Sequence, residues 1–312
     1  MHRPKICVIG SLNMDLVIRT PRFALAGETI LGGPFATYPG GKGANQAVAA
    51  ARLGADVSFV GAVGDDSYGE EFRRVLRAEG VDCTHLITKP GIATGVAVIV
   101  IDERGQNSIV VALGANLMLS PADIDQAMEL IRAVDIVMLQ LEIALPTIEH
   151  VMRRRGDFRA RIMLNTAPAQ RVPREVLAAA DVLVFNEVEA KSLCTHASSD
   201  VPDPILIEAV SCGGQTIKVL TLAERGCMTC VEGDHLRDHP AFDVQAVDTV
   251  GAGDCFSGAL ALALAGRNAI DSETDLAHAI RFANAAGAIA VTRHGAIPSL
   301  PTRAEVDALL RK

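Results

Sequence analysis

Apolar runs of four or five residues recur along this chain, and most are followed by a stretch with helical spacing. Lys5–Ile9 ends at Gly10. Beyond Gly40 and Gly41, residues 44–53 carry Ala47, Val48 and Ala51 and stop at Gly54. A strand is predicted at 57–60 and a helix at 68–79, closed by Gly80. Further strand-like runs at Ile136–Leu139, 161–164, 182–185 and 217–220 are separated by helical stretches at 121–132, 146–155 and 205–212. Strands that read as unbroken apolar runs are covered on both faces, and intervening helices make the parallel crossovers. The pattern predicts an α/β fold with one doubly wound, mostly parallel sheet covered by helices. The last third is helical, over 256–265, 275–291 and Arg303–Leu310.

Two regions interrupt the alternation. Residues 15–38 are punctuated by Gly and Pro, with β-like pieces at 16–19 and 29–31. Residues 94–112 read as a hairpin, 96–101 and 108–111, about the polar turn Asp102-Glu103-Arg104-Gly105. Both flank a βαβα segment, so they can meet as a small sheet off the main body. The expectation is one domain over 1–312, with 15–38 and 94–112 forming a β lid over the cleft. Decorative surface structure is the plainer reading.

Charge and composition narrow the partners. With 29 Lys and Arg against 37 Asp and Glu, the formal net charge is −8, and no basic footprint for nucleic acid stands out. Arg153, Arg154 and Arg155 read as the solvated end of a helix. A hydrophobic fraction of 49% excludes a disordered chain. The 7 cysteines are odd in number and scattered, unlike a disulfide framework. The first ten residues hold too short an apolar run for a signal peptide, and the most lipid-like stretch, 258–266, is about half a bilayer span. The expectation is a reduced, cytoplasmic protein without a membrane span.

The strongest local signal is Asp248-Thr249-Val250-Gly251-Ala252-Gly253-Asp254, after a β-like stretch at 242–247 and at the start of a small-residue helix. Its glycines permit a tight turn that leaves several backbone N–H groups free at the helix start, and such amides bind anions. Asp254 is then either a helix cap for those amides or a catalytic base, taking a hydroxyl proton while they hold a transferring phosphoryl group. An ordinary aspartate, with a pKa of about 4, does the latter only by accepting the proton late, as the new O–P bond forms.

Gly40-Gly41-Lys42-Gly43-Ala44-Asn45 is not a P-loop, because Gly43 stands where Ser or Thr is required. Nor is it a dinucleotide fingerprint, because Gln46 replaces the third glycine. It either brings backbone close to a small ligand, with Asn45 at a cleft, or merely starts a helix. Asn13, Asp15, Glu142, Asn186 and Glu189 follow strand-like runs, where open parallel sheets bind ligands. Asp15 and Glu142 suit sugar hydroxyls; Asn186 and Glu189 suit the water shell of Mg2+ on phosphates. Cys227, Cys230, His235 and His239 have zinc-capable spacing. A strand at 226–231, turning at Glu232-Gly233-Asp234, would however point the two cysteines to opposite faces. Cys255 reads as a packed helix cysteine rather than a nucleophile.

With these residues in view, the chain resembles the PfkB-type family of carbohydrate and adenosine kinases, in its ribokinase form, over essentially its whole length. Residues 40–47 are similar to the family's first signature and 248–254 to its second. Gly10-Ser11-Leu12-Asn13-Met14-Asp15, Gln140-Leu141-Glu142, Asn186-Glu187-Val188-Glu189 and Val291-Thr292-Arg293-His294-Gly295-Ala296, with Pro298 and Ser299 behind it, agree as well. The resemblance implies a ribokinase-like fold and transfer of the γ-phosphoryl group of ATP to O5 of D-ribose. Asp254 is then the base, and the amides of Gly251, Ala252 and Gly253 the anion hole. It implies sugar contacts from Asn13, Asp15, Gly41, Lys42, Asn45, Glu142 and Asp254. For ATP and Mg2+ it implies Asn186, Glu189, Thr221, Ala223, Glu224, Gly226, Gly253 and Asn284.

It further implies a K+ site at the Asp248 carboxylate, the carbonyls of Val250, Ala290, Arg293 and Gly295, and Ser299. There the ion would neutralise Asp248 and shape the turn without touching substrate. A homodimer through paired lids is implied too, with the apolar face of 96–101 as interface. Two departures stand out: Ala223 where Gly is usual, which crowds a phosphate if φ is positive there, and a longer stretch at 266–275. A same-family kinase for deoxyribose, a ketose or a nucleoside is the nearest alternative, because Asp15 and Glu142 indicate a polyol and not which one. A nicotinamide-dependent reductase would need a glycine triad after the first strand, and a non-catalytic sugar binder would have lost Asp254 or the glycine turn.

Overall fold

The structure is a computed structural model that describes residues 3–194, 201–231, 236–265 and 273–311. Its strands are β1 (Lys5–Ile9), β2 (Asn13–Arg19), β3 (Phe35–Gly40), β4 (Asp56–Gly64), β5 (Asp82–Lys89), β6 (Gly95–Ile101), β7 (Asn107–Ala112), β8 (Ile136–Leu139), β9 (Arg161–Asn165), β10 (Val182–Asn186), β11 (Ile217–Thr221), β12 (Cys227–Val231) and β13 (Arg237–His239). The large sheet runs β13-β12-β11-β10-β9-β8-β1-β4-β5. It is parallel from β11 to β5, with β12 and β13 added antiparallel at one edge.

Successive side chains of a strand point to opposite faces, and β1 shows the result. Ile6 and Val8 join one core, with the helices Lys42–Arg52, Ala252–Leu264 and Glu273–Ala290. Cys7 and Ile9 join the other, with Leu145–Arg153, Arg174–Ala178 and Asp203–Ala209. Each buried Ile or Val contributes about 1.5–3 kcal/mol, so strands buried on both sides hold the sheet without help from a polar face.

On the first face, Lys42–Arg52 and Ala252–Leu264 cross closely. A Cβ at Gly258 would stand 2.9 Å from Ala49 Cβ and 2.7 Å from the Gln46 carbonyl. That small-residue crossing sets the chemistry below, because it brings residues 45 and 46 of one helix against residue 254 of the other.

The smaller sheet runs β3-β2-β6-β7, with β2 and β6 parallel and the outer pairs antiparallel. The predicted hairpin at 94–112 forms as β6 and β7. The β-like piece expected at 29–31 is not a strand; β3 lies at Phe35–Gly40 instead. Its register is fixed from its end, since Gly40 pairs with Asn13 and Gly41 packs against the Asn13 backbone. Residues 242–247 are also not a strand: Val247 N and Asp248 N both donate to Val291 O, at 2.7 and 3.1 Å, and join no ladder. The helix expected over 121–132 is interrupted at Ala127.

Cys227 and Cys230 lie in separate cores, as their parity requires, and His239 Nε2 meets Thr229 Oγ1 at 2.9 Å. The turn at 232–235, with His235, lies outside the described residues, as does most of the long stretch at 266–275. Among the described residues no group of three His, Cys, Asp or Glu could hold a metal, and no helix is long and apolar enough to cross a membrane. Arg153, Arg154 and Arg155 pair with Glu149, Asp125 and Asp181 at a helix end, as a solvated cluster does.

Candidate active site

From β1 the chain moves to β4 on one side, and later to β8 on the other. The crevice beyond the carboxyl ends of β1 and β8 is therefore a topological switch point. Glu142, after β8, is buried there. Its Oε2 accepts from Ser11 Oγ (2.6 Å), Asn13 Nδ2 (3.0 Å) and the Lys42 amide (3.1 Å). The Gly43 amide donates to Ser11 Oγ (3.2 Å) and the Ala44 amide to Ser11 O (3.0 Å).

These contacts explain how the helix Lys42–Arg52 begins. Its N-cap, Gly41, has no side chain to satisfy the first amides, so Ser11 and Glu142 do it from neighbouring segments. Gly41 has φ +88, and a Cβ there would lie 2.5 Å from Asn13 N, so the glycine is needed for both conformation and approach. Amides 42–44 are thus spent on protein, and Lys42 offers a ligand only its side chain. Asn116 completes the wall: its Nδ2 donates to Leu12 O (3.0 Å) and Asn13 Oδ1 (2.8 Å), while its Oδ1 accepts from Leu12 N (2.9 Å).

Asp254 is the third residue of Ala252–Leu264 and is buried. It does not cap its own helix. The carboxylate reaches across the crossing, accepting from Asn45 Nδ2 at Oδ2 (2.8 Å) and from Gln46 Nε2 at Oδ1 (3.0 Å). Gly251, the N-cap, is left-handed at φ +76, and its Cα lies close against Ala296. The expectation of three free amides narrows here, because Ala252 N donates to Thr249 O at 3.3 Å. Among the described residues, no backbone carbonyl accepts from the N–H groups of Gly251 and Gly253. Gly253 is exposed, and a Cβ on it would meet nothing within 4 Å.

Charge is concentrated around Lys42. Burial alone would lower its ammonium, but the Asp254, Glu142 and Glu189 carboxylates outweigh that and hold it above its ordinary value. Asp15, on β2, is pushed up to about 7 by burial first, then by the negative charges of Glu142 and Asp254. Glu189 is raised by burial and by Asp254, against the opposing effects of the Asn186 amide and Lys42. Asn186 and Glu189 form a reciprocal capping box at the helix Glu187–Leu193, which accounts for their spacing on structural grounds.

The remaining predicted residues fall on two further loops. Thr221 ends β11, its Oγ1 donating to Phe185 O at 3.4 Å. The turn with Ala223 and Glu224 follows, and Ala223 has φ +51. Gly226, at φ +93, leaves no room for a Cβ beside the His239 carbonyl. Asn284 Nδ2 donates to Pro240 O at 3.1 Å. Asp248 accepts from Val250 N (3.0 Å) and Gly295 N (2.9 Å), tying the turn before Gly251 to residues 290–299. There Arg293 N donates to Ala290 O (3.2 Å) and Ser299 Oγ to Ala296 O (2.8 Å). A carboxylate and carbonyls on tied loops are the oxygen donors a hard monovalent cation takes.

Ser11, Gln46, Asn116, Gln140 and Asn165 are buried polar residues of this site that the sequence reading assigned no role. Ser11, Gln46 and Gln140 lay inside quoted motifs, and Asn165 ends β9, where the strand-end rule applies. Asn116 carries no signal at all.

A buried carboxylate held by side-chain amides, beside backbone amides at a helix start and a cleft walled by acids and amides, has the donors and acceptors that phosphorylation of an alcohol requires. The model described as pfkB family carbohydrate kinase matches residues 3–303, and the chain belongs to that family. It is a carbohydrate kinase.

The chain is similar to ribokinase of Bacillus subtilis, 42% identical over 98% of this chain and 99% of that protein. A deoxyribokinase of Salmonella typhi is 36% identical over 95% of each. Among solved structures, ribokinase from Giardia lamblia superposes with a TM-score of 0.90 at 32% identity, over 99% of each chain. Ribokinase from Arabidopsis thaliana, complexed with ribose and ATP, gives a TM-score of 0.84 at 30% identity, over 100% of each.

Proposed function

We propose that this chain transfers the γ-phosphoryl group of ATP to O5 of D-ribose, giving D-ribose 5-phosphate and ADP. The observation that carries the reading is the pairing of Asp254 with Gly253. The carboxylate is held ready by two amides, and the glycine beside it lacks a side chain for no reason internal to the protein. A phosphoryl group on the Gly251 and Gly253 amides supplies that reason. The O5–H proton passes to Asp254 as the O5–P bond forms and the bond from the γ-phosphorus to the bridging oxygen breaks. The Lys42 ammonium offsets the charge developing on the transferred group.

Asn13, Asp15, Asn45 and Glu142 face the sugar. Glu142 also organises the wall, since its Oε2 already holds three protein donors. Asn186 and Glu189 fit the waters of Mg2+, which when bound neutralises phosphate charge; their mutual capping leaves acceptor lone pairs for those waters. Thr221, Ala223, Glu224, Gly226 and Asn284 line the nucleotide. Asp248, Ser299 and the carbonyls of Val250, Ala290, Arg293 and Gly295 fit K+, which would hold the shape of the turn rather than touch substrate.

The small sheet serves as the lid. Its exposed Phe35 (60%), Ile109 (49%) and Val110 (69%) support a homodimer with lid packed on lid. The relatives named ribokinases favour ribose, and the deoxyribokinase keeps deoxyribose in the test. Coupled ADP release with ribose, deoxyribose, fructose and adenosine is expected to rank ribose first. More than about tenfold higher kcat/KM for another acceptor, or about 1.4 kcal/mol at the transition state, would overturn the assignment.

A further inference from the structure

We infer that Gln46 is a positioning residue for Asp254, and that Asn165 decides which end of the Gln46 amide faces the carboxylate, with Gln140 taking up the Gln46 oxygen. The kinetic consequences rest on the phosphoryl-transfer reading above; the geometric ones do not.

Gln46 is fully buried. Its Nε2 donates to Asp254 Oδ1 (3.0 Å) and Asn165 Oδ1 (3.2 Å), and its Oε1 accepts from Gln140 Nε2 (2.7 Å). Asn165 Nδ2 in turn donates to Val184 O (3.1 Å), a main-chain carbonyl of β10. That carbonyl can only accept, so it turns the Asn165 oxygen toward Gln46. Asn165 then requires Gln46 to present its NH2 group, which Asp254 shares, and the Gln46 oxygen is left for Gln140. A flipped Gln46 amide would face its oxygen toward two others, Asp254 Oδ1 and Asn165 Oδ1, in a buried place. Gln140 Oε1 is buried without a donor, so its own satisfaction does not set its orientation; the contact with Gln46 does.

Asn45 holds the other oxygen, Oδ2, but stands at the sugar subsite, where an arriving hydroxyl competes for the same atom. Gln46 lies behind the carboxylate and has no such competitor. With Oδ1 occupied from behind, the O5 proton goes to Oδ2, and the plane of the carboxylate is fixed before substrate arrives.

Gln46→Met preserves length and shape while deleting the donor. It is expected to lower kcat by about 10- to 100-fold with KM for sugar and ATP within about twofold. Gln140→Met is expected to give a smaller loss of the same kind, and the double variant no more than Gln46→Met alone, because the two act in series. A crystal structure of ligand-free Gln46→Met is expected to show the Asp254 carboxylate rotated from its wild-type plane.

An unmoved carboxylate, an unchanged kcat, or a loss confined to KM would each overturn the inference. Should Gln46→Met fail to fold, Gln140→Met carries the same two readouts. If the wild type phosphorylates no sugar, the proposed function fails, and the carboxylate plane in the variant still decides the role of Gln46.

Discussion

Asp15 offers a direct test of the charge balance in the cleft. In the ligand-free protein, burial and the nearby Glu142 and Asp254 carry it from 3.8 to about 7. At about 1.36 kcal/mol per pH unit, that corresponds to about 4 kcal/mol against the ionised form, a ceiling that partial exposure to water scales to about 2 kcal/mol. The folded protein holds this proton more tightly than the unfolded chain. The stabilisation is therefore fully present below pH 3.8, declines as pH rises, and is gone above about 7.

Asp15→Asn removes the charge with little change in shape. The variant should be close to wild type in stability near about pH 4, and more stable by about 2 kcal/mol at about pH 8. For a chain of this length that is a rise in Tm of roughly 4 °C. Thermal unfolding of both proteins without ligand, from about pH 4.5 to about 8, gives the comparison directly. Ribose should raise the Tm of wild type but not of the variant, since the stabilised residue is also the one proposed to hold the sugar. A stability difference that does not widen with pH would refute the reasoning, and would mean that neither burial nor the neighbouring carboxylates raise Asp15 in this cleft.

Three further outcomes are expected. Asp254→Asn should lower kcat by about a thousandfold, the range of general-base catalysis, while calorimetry still detects sugar and nucleotide binding. Ala223→Gly should stabilise the fold by about 0.5 kcal/mol, because relief of the left-handed φ of +51 outweighs the entropy of glycine. It should also lower KM for ATP in the coupled assay. Replacing KCl with choline chloride should slow turnover several-fold, and equal rates in the two salts would dismiss the cation site.

The large sheet was legible because residues 6–9 of β1, all of β8 and residues 182–185 of β10 are unbroken apolar runs, as strands covered on both faces are. The small sheet was half legible. The hairpin of β6 and β7 announces itself through its polar turn, whereas β3 contains Pro39 and owes its place to the packing of Gly41 on Asn13, a contact distant in sequence. The stretch 242–247 has strand composition but no neighbour to pair with, and composition cannot reveal that.

In the site, Asp254 could be read as either cap or base from sequence alone. Only the crossing of two small-residue helices shows its hydrogen bonds leaving its own helix. Asn116 was invisible for the same reason, since a lone asparagine acquires its role from backbone groups about a hundred residues away.

Asn13 and Asp15 are rungs of β2 and at the same time walls of the cleft. Asn13 pairs with Gly40 on one side and Gly95 on the other, while its amide bonds Glu142. In the proposed function the small sheet is therefore a lever whose short arm is the sugar pocket. Any tilt of its outer strands would then be delivered at the pocket as a displacement of the groups proposed to grip the acceptor, so that shutting the cleft and seating the sugar would be a single mechanical act.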